Sequence, residues 1–208
     1  VDQSGRALGP RALQTRERLL DATRALLDER SLRDISVVEI ARNVETSPAT
    51  FYQYFKDVAD ATLQLAEQAN AEIPPLVERI REPWGGRRGF EAARALVAGY
   101  FDHWDAHRAV LRIRNLASEE GDRRFQRVRR ESMRPMLEAL AAKVAEAQSA
   151  GRVSAEIHPS AAAAALASML ERLAAFHREI QAFGATRDDL VETCARILVQ
   201  SATGRSAP

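Results

Sequence analysis

Residues Ser36 to Lys56, SVVEIARNVETSPATFYQYFK, admit few folds, because two helix-start signals lie so close together that only two short helices around a tight turn fit between them. Ser36, followed three residues later by Glu39, forms a capping box that satisfies backbone donors at a helix start. Val37, Ile40, Ala41 and Val44 fall at helical spacing and give that helix an apolar face, with Arg42 and Asn43 elsewhere on the cylinder. Ser47 is a good N-cap for a second helix, and Pro48 sits at the first helical position, where its fixed φ and missing donor cost least. Phe51 and Phe55, four apart, anchor the second helix inward and leave Ala49, Thr50, Tyr52, Gln53 and Tyr54 for its outer side. A small, hydroxylic and amide-bearing outer face suits major-groove contacts better than hydrolysis. The layout is that of a helix-turn-helix DNA reader. Within it, Ser36, Thr50, Tyr54 and Lys56 are expected at phosphates. Thr46, Ala49, Tyr52 and Gln53 are expected at base or sugar edges, with Ser47 and Pro48 opening the contacting helix.

These residues resemble the tetracycline-repressor (TetR) family of bacterial regulators, whose DNA-binding end has a pattern close to I-A-x-x-A-G-V-S-x-x-T-x-Y-x-x-F-x-x-K/D. The match runs through Ile40, Ala41, Ser47, Thr50, Tyr52, Phe55, Lys56 and Asp57. The preceding TRERLLDATRALLDERSLRDIS, with Leu19, Leu20, Ala22, Thr23, Leu26, Leu27 and Ile35, is similar to the family's first helix and following loop. The resemblance covers roughly residues 14 to 60 and is architectural beyond. Two positions depart from the pattern: Glu45 stands where the family has Gly, and Thr46 replaces an apolar residue. A left-handed Glu45 would carry strain of about 1 kcal/mol.

The net charge of the 208-residue chain is only +1, so no global basic field acts on nucleic acid, and binding must rest on a few placed contacts. The single cysteine, Cys194, forms no intrachain disulfide and no thiolate metal cluster, and on an apolar helical face it reads as a small buried hydrophobe. With no apolar run of ~20 residues, the chain is expected in the cytoplasm and away from membranes.

Beyond Asp57 no run of alternating β-branched residues stands out, and the expected fold is all-α. Asp57 caps a helix running toward Ile73, with Pro74-Pro75 kinking or ending it. Pro83-Trp84-Gly85-Gly86 precedes a helix beginning near Arg87 or Phe90. Further helices are expected over about 106–118, 123–150, 159 to near 183, and 186 to near 202. The expected organisation is a flexible arm (1–10), a helix-turn-helix domain (11–56), a ligand-binding and dimerisation domain (57–203) and a flexible tail (204–208). The TetR resemblance implies nine helices, three in the reader and six in the bundle.

In the family the last two helices pair with their copies to form a homodimer. Here they carry Ala162, Ala165 and Leu173 on one helix and Cys194, Ile197 and Ser201 on the other, faces that serve equally as intrachain core. The candidate effector site comprises Tyr100, Phe101, Trp104, Leu111, Asn115, Met133, Met136, Met169, Leu170 and Phe176. Such aromatic and methionine stripes also make ordinary core. Arg112, Arg114 and Asn115 favour a pocket, since a short helix with polar groups on several faces needs partners for them. The stretches HRAV and MLER resemble the mycobacterial subgroup typified by the ethionamide-resistance repressor.

His103 and His107, four apart, have the spacing of a metal pair but also of a structural pair, and no metal or other cofactor is expected. Arg123, Arg127, Arg130 and Arg134 read as a solvated face. No catalytic constellation stands out. The expected function is a ligand-responsive repressor, not an enzyme, whose partners are double-stranded operator DNA, a small hydrophobic effector and a second copy of itself. The alternative is an all-α enzyme or a helical adaptor without specific DNA binding.

Overall fold

The computed structural model describes Gln3 and residues 7–206. The expected arm and tail lie partly outside the described residues, at 1, 2, 4–6 and 207–208. Among the described residues the fold is all-α, as expected, with the helices α1 (Pro10–Glu29), α2 (Val37–Asn43), α3 (Pro48–Tyr54), α4 (Val58–Asn70), α5 (Pro74–Arg81), α6 (Gly86–Ala106), α7 (Arg108–Glu119), α8 (Arg123–Ser149), α9 (Pro159–Ile180) and α10 (Arg187–Thr203).

Local chemistry accounts for most boundaries. Asp57 caps α4 through Asp60 N–H, which donates to its Oδ1 at 2.6 Å. Thr186 and Asp189 form a reciprocal capping box at α10, and Gly204 closes that helix at φ 66. Three boundaries differ from the sequence reading. Pro74 opens a helix of its own, α5, where a proline at N1 costs little, rather than only ending α4. Gly86 already belongs to α6. The last turn expected of α9 tightens into a 3₁₀ turn, Gln181–Phe183, before the left-handed Gly184.

The chain groups into two compact units, residues 1–70 with 107–129, and residues 71–106 with 130–208. In unit 1, α1 packs against α2, α3, α4 and α7, and α4 against α7. Its core is built on Leu19, Leu20, Ile40, Phe51, Phe55, Leu65, Val110, Phe125 and Val128. Phe51 and Phe55 are fully buried, each burial stabilising by about 1.5–3 kcal/mol. In unit 2, α6 packs against α5, α9 and α10, and α9 against α10. Lys143 of α8 donates to the Glu82 carbonyl at 2.8 Å and lies over the Trp84 ring at 4.8 Å, holding the α5–α6 connection.

Candidate functional site

The turn between α2 and α3 is defined by its hydrogen bonds. Ser36 Oγ accepts from Glu39 N–H at 3.2 Å, starting α2. At the other end Thr46 N–H donates to the Ala41 carbonyl at 2.9 Å and Glu45 N–H to the Arg42 carbonyl at 3.1 Å. This pair of bonds makes a Schellman turn, which requires a left-handed residue at Glu45. Glu45 has φ 56, the positive value that the sequence departure raised. Ser47 Oγ then accepts from Thr50 N–H at 3.2 Å and sets the start of α3.

Two arginines of α1 brace this assembly. Arg18 donates to the Val44 carbonyl at 2.9 Å, and the Arg16 guanidinium lies 5.3 Å from the Phe55 ring centroid. Arg30 donates to Glu39 at 2.5 Å, and this bond holds the Glu39 carboxyl below the usual carboxylate range. None of the three was singled out from sequence, because their partners lie far along the chain.

On α3, Ala49, Tyr52 and Gln53 are exposed, as are Ser36, Ser47 and Lys56 around it, while Thr46, Pro48 and Thr50 are half-buried. Tyr54 is a correction. It is buried, with its ring centroid 6.3 Å from that of Phe55, and does not face outward. Its place three residues after Phe51 puts it on the inward side, a signal the spacing contained. Val38, 61% exposed, is a large apolar side chain on the outer side of α2 that sequence reasoning assigned no role.

The effector set is divided. Tyr100, Phe101, Trp104, Met136 and Leu170 are buried in unit 2, with Met133 and Met169 half-buried there. Phe176 is 37% exposed and carries the Arg172 guanidinium 3.8 Å from its ring centroid. Leu111 and Asn115 belong to unit 1. Leu111 is buried, and Asn115 Oδ1 accepts from Arg114 and Arg129, so the amide expected to orient a ligand is engaged with arginines. Arg112 is exposed and Arg114 buried. Within unit 2 the buried polar groups are of another kind. His177 stacks on Phe101 at 5.4 Å, and its Nε2 lies 3.0 Å from Asp105 Oδ1.

The outer faces of α9 and α10 leave Ala165, Ile197 and Ser201 exposed, with Ala162 and Leu173 half-buried. Cys194 is a second correction. It is fully buried within its own chain, and burial pushes its thiol up to about 12. His103 is buried on α6 with Nδ1 3.5 Å from Glu72 Oε2, and His107 precedes α7 in the other unit. Arg123, Arg127, Arg130 and Arg134 are exposed, as expected of a solvated face.

No helix among the described residues is long and apolar enough to cross a membrane. The chain is 28% identical over 138 residues to the HTH-type transcriptional regulator BetI of Cronobacter sakazakii, an alignment covering 62% of this chain and 64% of that protein. Its fold is similar to that of the fatty acid degradation regulator FadR from Bacillus halodurans, with TM-score 0.66 and 17% identity over 93% of this chain and 97% of that one. It is also similar to SmeT of Stenotrophomonas maltophilia in a triclosan complex, with TM-score 0.66 and 16% identity over 91% of each chain. Residues 19–60 match the profile of bacterial regulatory proteins of the tetR family, and residues 76–208 match the tetracyclin repressor-like C-terminal domain. With both ends of the fold matched, the chain belongs to the TetR family of transcriptional regulators.

Proposed function

We propose that this chain is a ligand-responsive repressor, not an enzyme, that binds a near-palindromic operator as a homodimer in the cytoplasm. The observation that carries the reading is the exposed row Ala49, Tyr52 and Gln53 on α3, a helix held on its other side by the buried Phe51, Tyr54 and Phe55. A contacting row on a rigid support is what base readout needs. Two such helices, one per subunit, would enter successive major grooves about 34 Å apart.

The exposed Ala165, Phe176 and Ile197 of α9 and α10 support pairing with a second copy. The buried Tyr100, Phe101 and Trp104 of α6, with Met136 and Leu170, support an elongated hydrophobic effector. Apolar burial would supply its affinity at ~25 cal/mol per Å². That SmeT was solved with triclosan fits a small-molecule effector. The HRAV stretch at the start of α7 and MLER in α9 carry the narrower likeness to the ethionamide-resistance repressor subgroup.

The test begins with selection of duplexes from a random pool, followed by gel retardation. Lys56→Ala should weaken binding to every duplex and lower the salt slope by about 1, because a phosphate contact is lost. Gln53→Ala should relax sequence choice at one position, by about 1–3 kcal/mol of discrimination if its amide makes a bidentate base contact. Equal behaviour of the two variants across a duplex panel would refute the assignment.

A further inference from the structure

Arg114 is a guanidinium at 2% exposure in unit 1, on the α7 face that also buries Val110 and Leu111. Its Nε and Nη2 both donate to Asn115 Oδ1, at 3.1 and 2.9 Å, and its Nη1 lies 3.5 Å from Asn70 Oδ1. Arg129 Nε donates to the same Asn115 oxygen at 3.2 Å, and Asn70 Nδ2 donates to the Val128 carbonyl at 3.1 Å. The cluster therefore ties the last residue of α4 to α7 and to the first turns of α8. Its ends coincide with the limits of unit 1, which the chain leaves after Asn70 and again after Arg129.

We propose that Arg114 and Asn115 are positioning residues for DNA recognition, clasping two exits of the chain from the reader unit so that displacements of α4 and α8 act on it together. The proposal rests on the regulator reading above. Inside unit 1 the route onward is α4 against α1, and α1 against α2 and α3. The chemistry suits a clasp that opens. An amide oxygen offers two lone pairs to the three N–H groups that reach it here, whereas a carboxylate would offer two oxygens and a charge to two guanidiniums. Asn115→Asp should therefore tighten the clasp, and Asn115→Leu should release it.

Hydrogen exchange on the full chain without DNA tests the clasp directly. Asn115→Leu should lower amide protection at 66–70 and at 125–129 together, by about ten-fold or more, as expected when two guanidiniums lose the acceptor they share. Protection in α2 and α3 should stay within about two-fold. Asn115→Asp should restore both segments to wild-type protection or above. A loss confined to one segment, or an Asp variant no better than Leu, overturns the proposal. If Asn115→Leu fails to fold, Asn70→Ala, which removes the two links from Asn70 to Arg114 and to the Val128 carbonyl but leaves Asn115 in place, must lower both segments. With a duplex selected by the wild-type protein, added DNA should raise protection at both segments in the wild type. In Asn115→Leu the duplex should still bind but protect only α1–α3. Equal spread of protection in the two proteins overturns the proposal. If the wild type selects no duplex, the regulator reading falls, while exchange in the free proteins still decides the clasp.

Discussion

Glu45 offers the sharpest test of the recognition turn, because its backbone conformation is one that a side chain resists. At φ 56 its Cβ crowds the following carbonyl, which costs a residue other than glycine about 1–2 kcal/mol. Glu45→Gly removes that strain but gives the unfolded chain more freedom, a loss of about 0.5–1 kcal/mol. The net gain should be about 0.5–1 kcal/mol. Glu45→Ala keeps the Cβ in the same left-handed position and should gain nothing. The comparison of Gly with Ala is the informative one, since the side chain beyond Cβ cancels. In a helix interior alanine is favoured by about 0.8–1.0 kcal/mol, so the sign should reverse at this turn. Urea unfolding followed by far-UV circular dichroism would read the difference as a midpoint shift of a few tenths of a molar or more, at an m of about 1–3 kcal/mol/M and with m unchanged. An alanine variant as stable as the glycine variant, or more so, would refute the strain and with it this account of why α3 leaves α2 at a fixed angle.

Cys194 is fully buried and its thiol is pushed up to about 12, so a thiol reagent at about pH 8 should label it only as fast as the protein opens. Rapid stoichiometric labelling of the native protein would contradict the packing. Lys143, one hydrogen bond from Glu82 and over Trp84, is held below the usual lysine range by burial. Between that lowered value and about 10.4 the unfolded chain binds the extra proton, so stability should gain with rising pH there. Lys143→Met should abolish that component, and identical stability profiles of variant and wild type over that window would refute it. Ala165→Arg and Ile197→Glu place charges on exposed positions of one chain, so each should fold yet sediment as a monomer, whereas Cys194→Ser should leave assembly unchanged. Unchanged dimers in the first two would move the interface elsewhere.

What could be read from sequence here was local. Ser36, Ser47, Asp57 and Thr186 start helices because their side chains meet backbone donors three residues away, and that chemistry needs no tertiary context. The positive φ at Glu45 was likewise legible, because the turn between two short helices has few solutions. Periodicity carried the core as far as Phe51 and Phe55; the three-residue step from Phe51 also points Tyr54 inward, although that residue was expected on the outer side. It could not say which of several apolar faces a helix turns to its own chain, and so Cys194 was expected at a partner surface when α10 buries it. Nor could it find the partners of Arg114 and Asn115. Their amide, guanidinium and carbonyl groups come from α4, α7 and α8, and only packing brings residues 70, 114, 115 and 129 together. Polar residues on a short helix signal that partners are needed, because burying them alone is costly. Whether those partners are a ligand or the chain itself is decided by which distant segments arrive, and in this protein the chain supplies them.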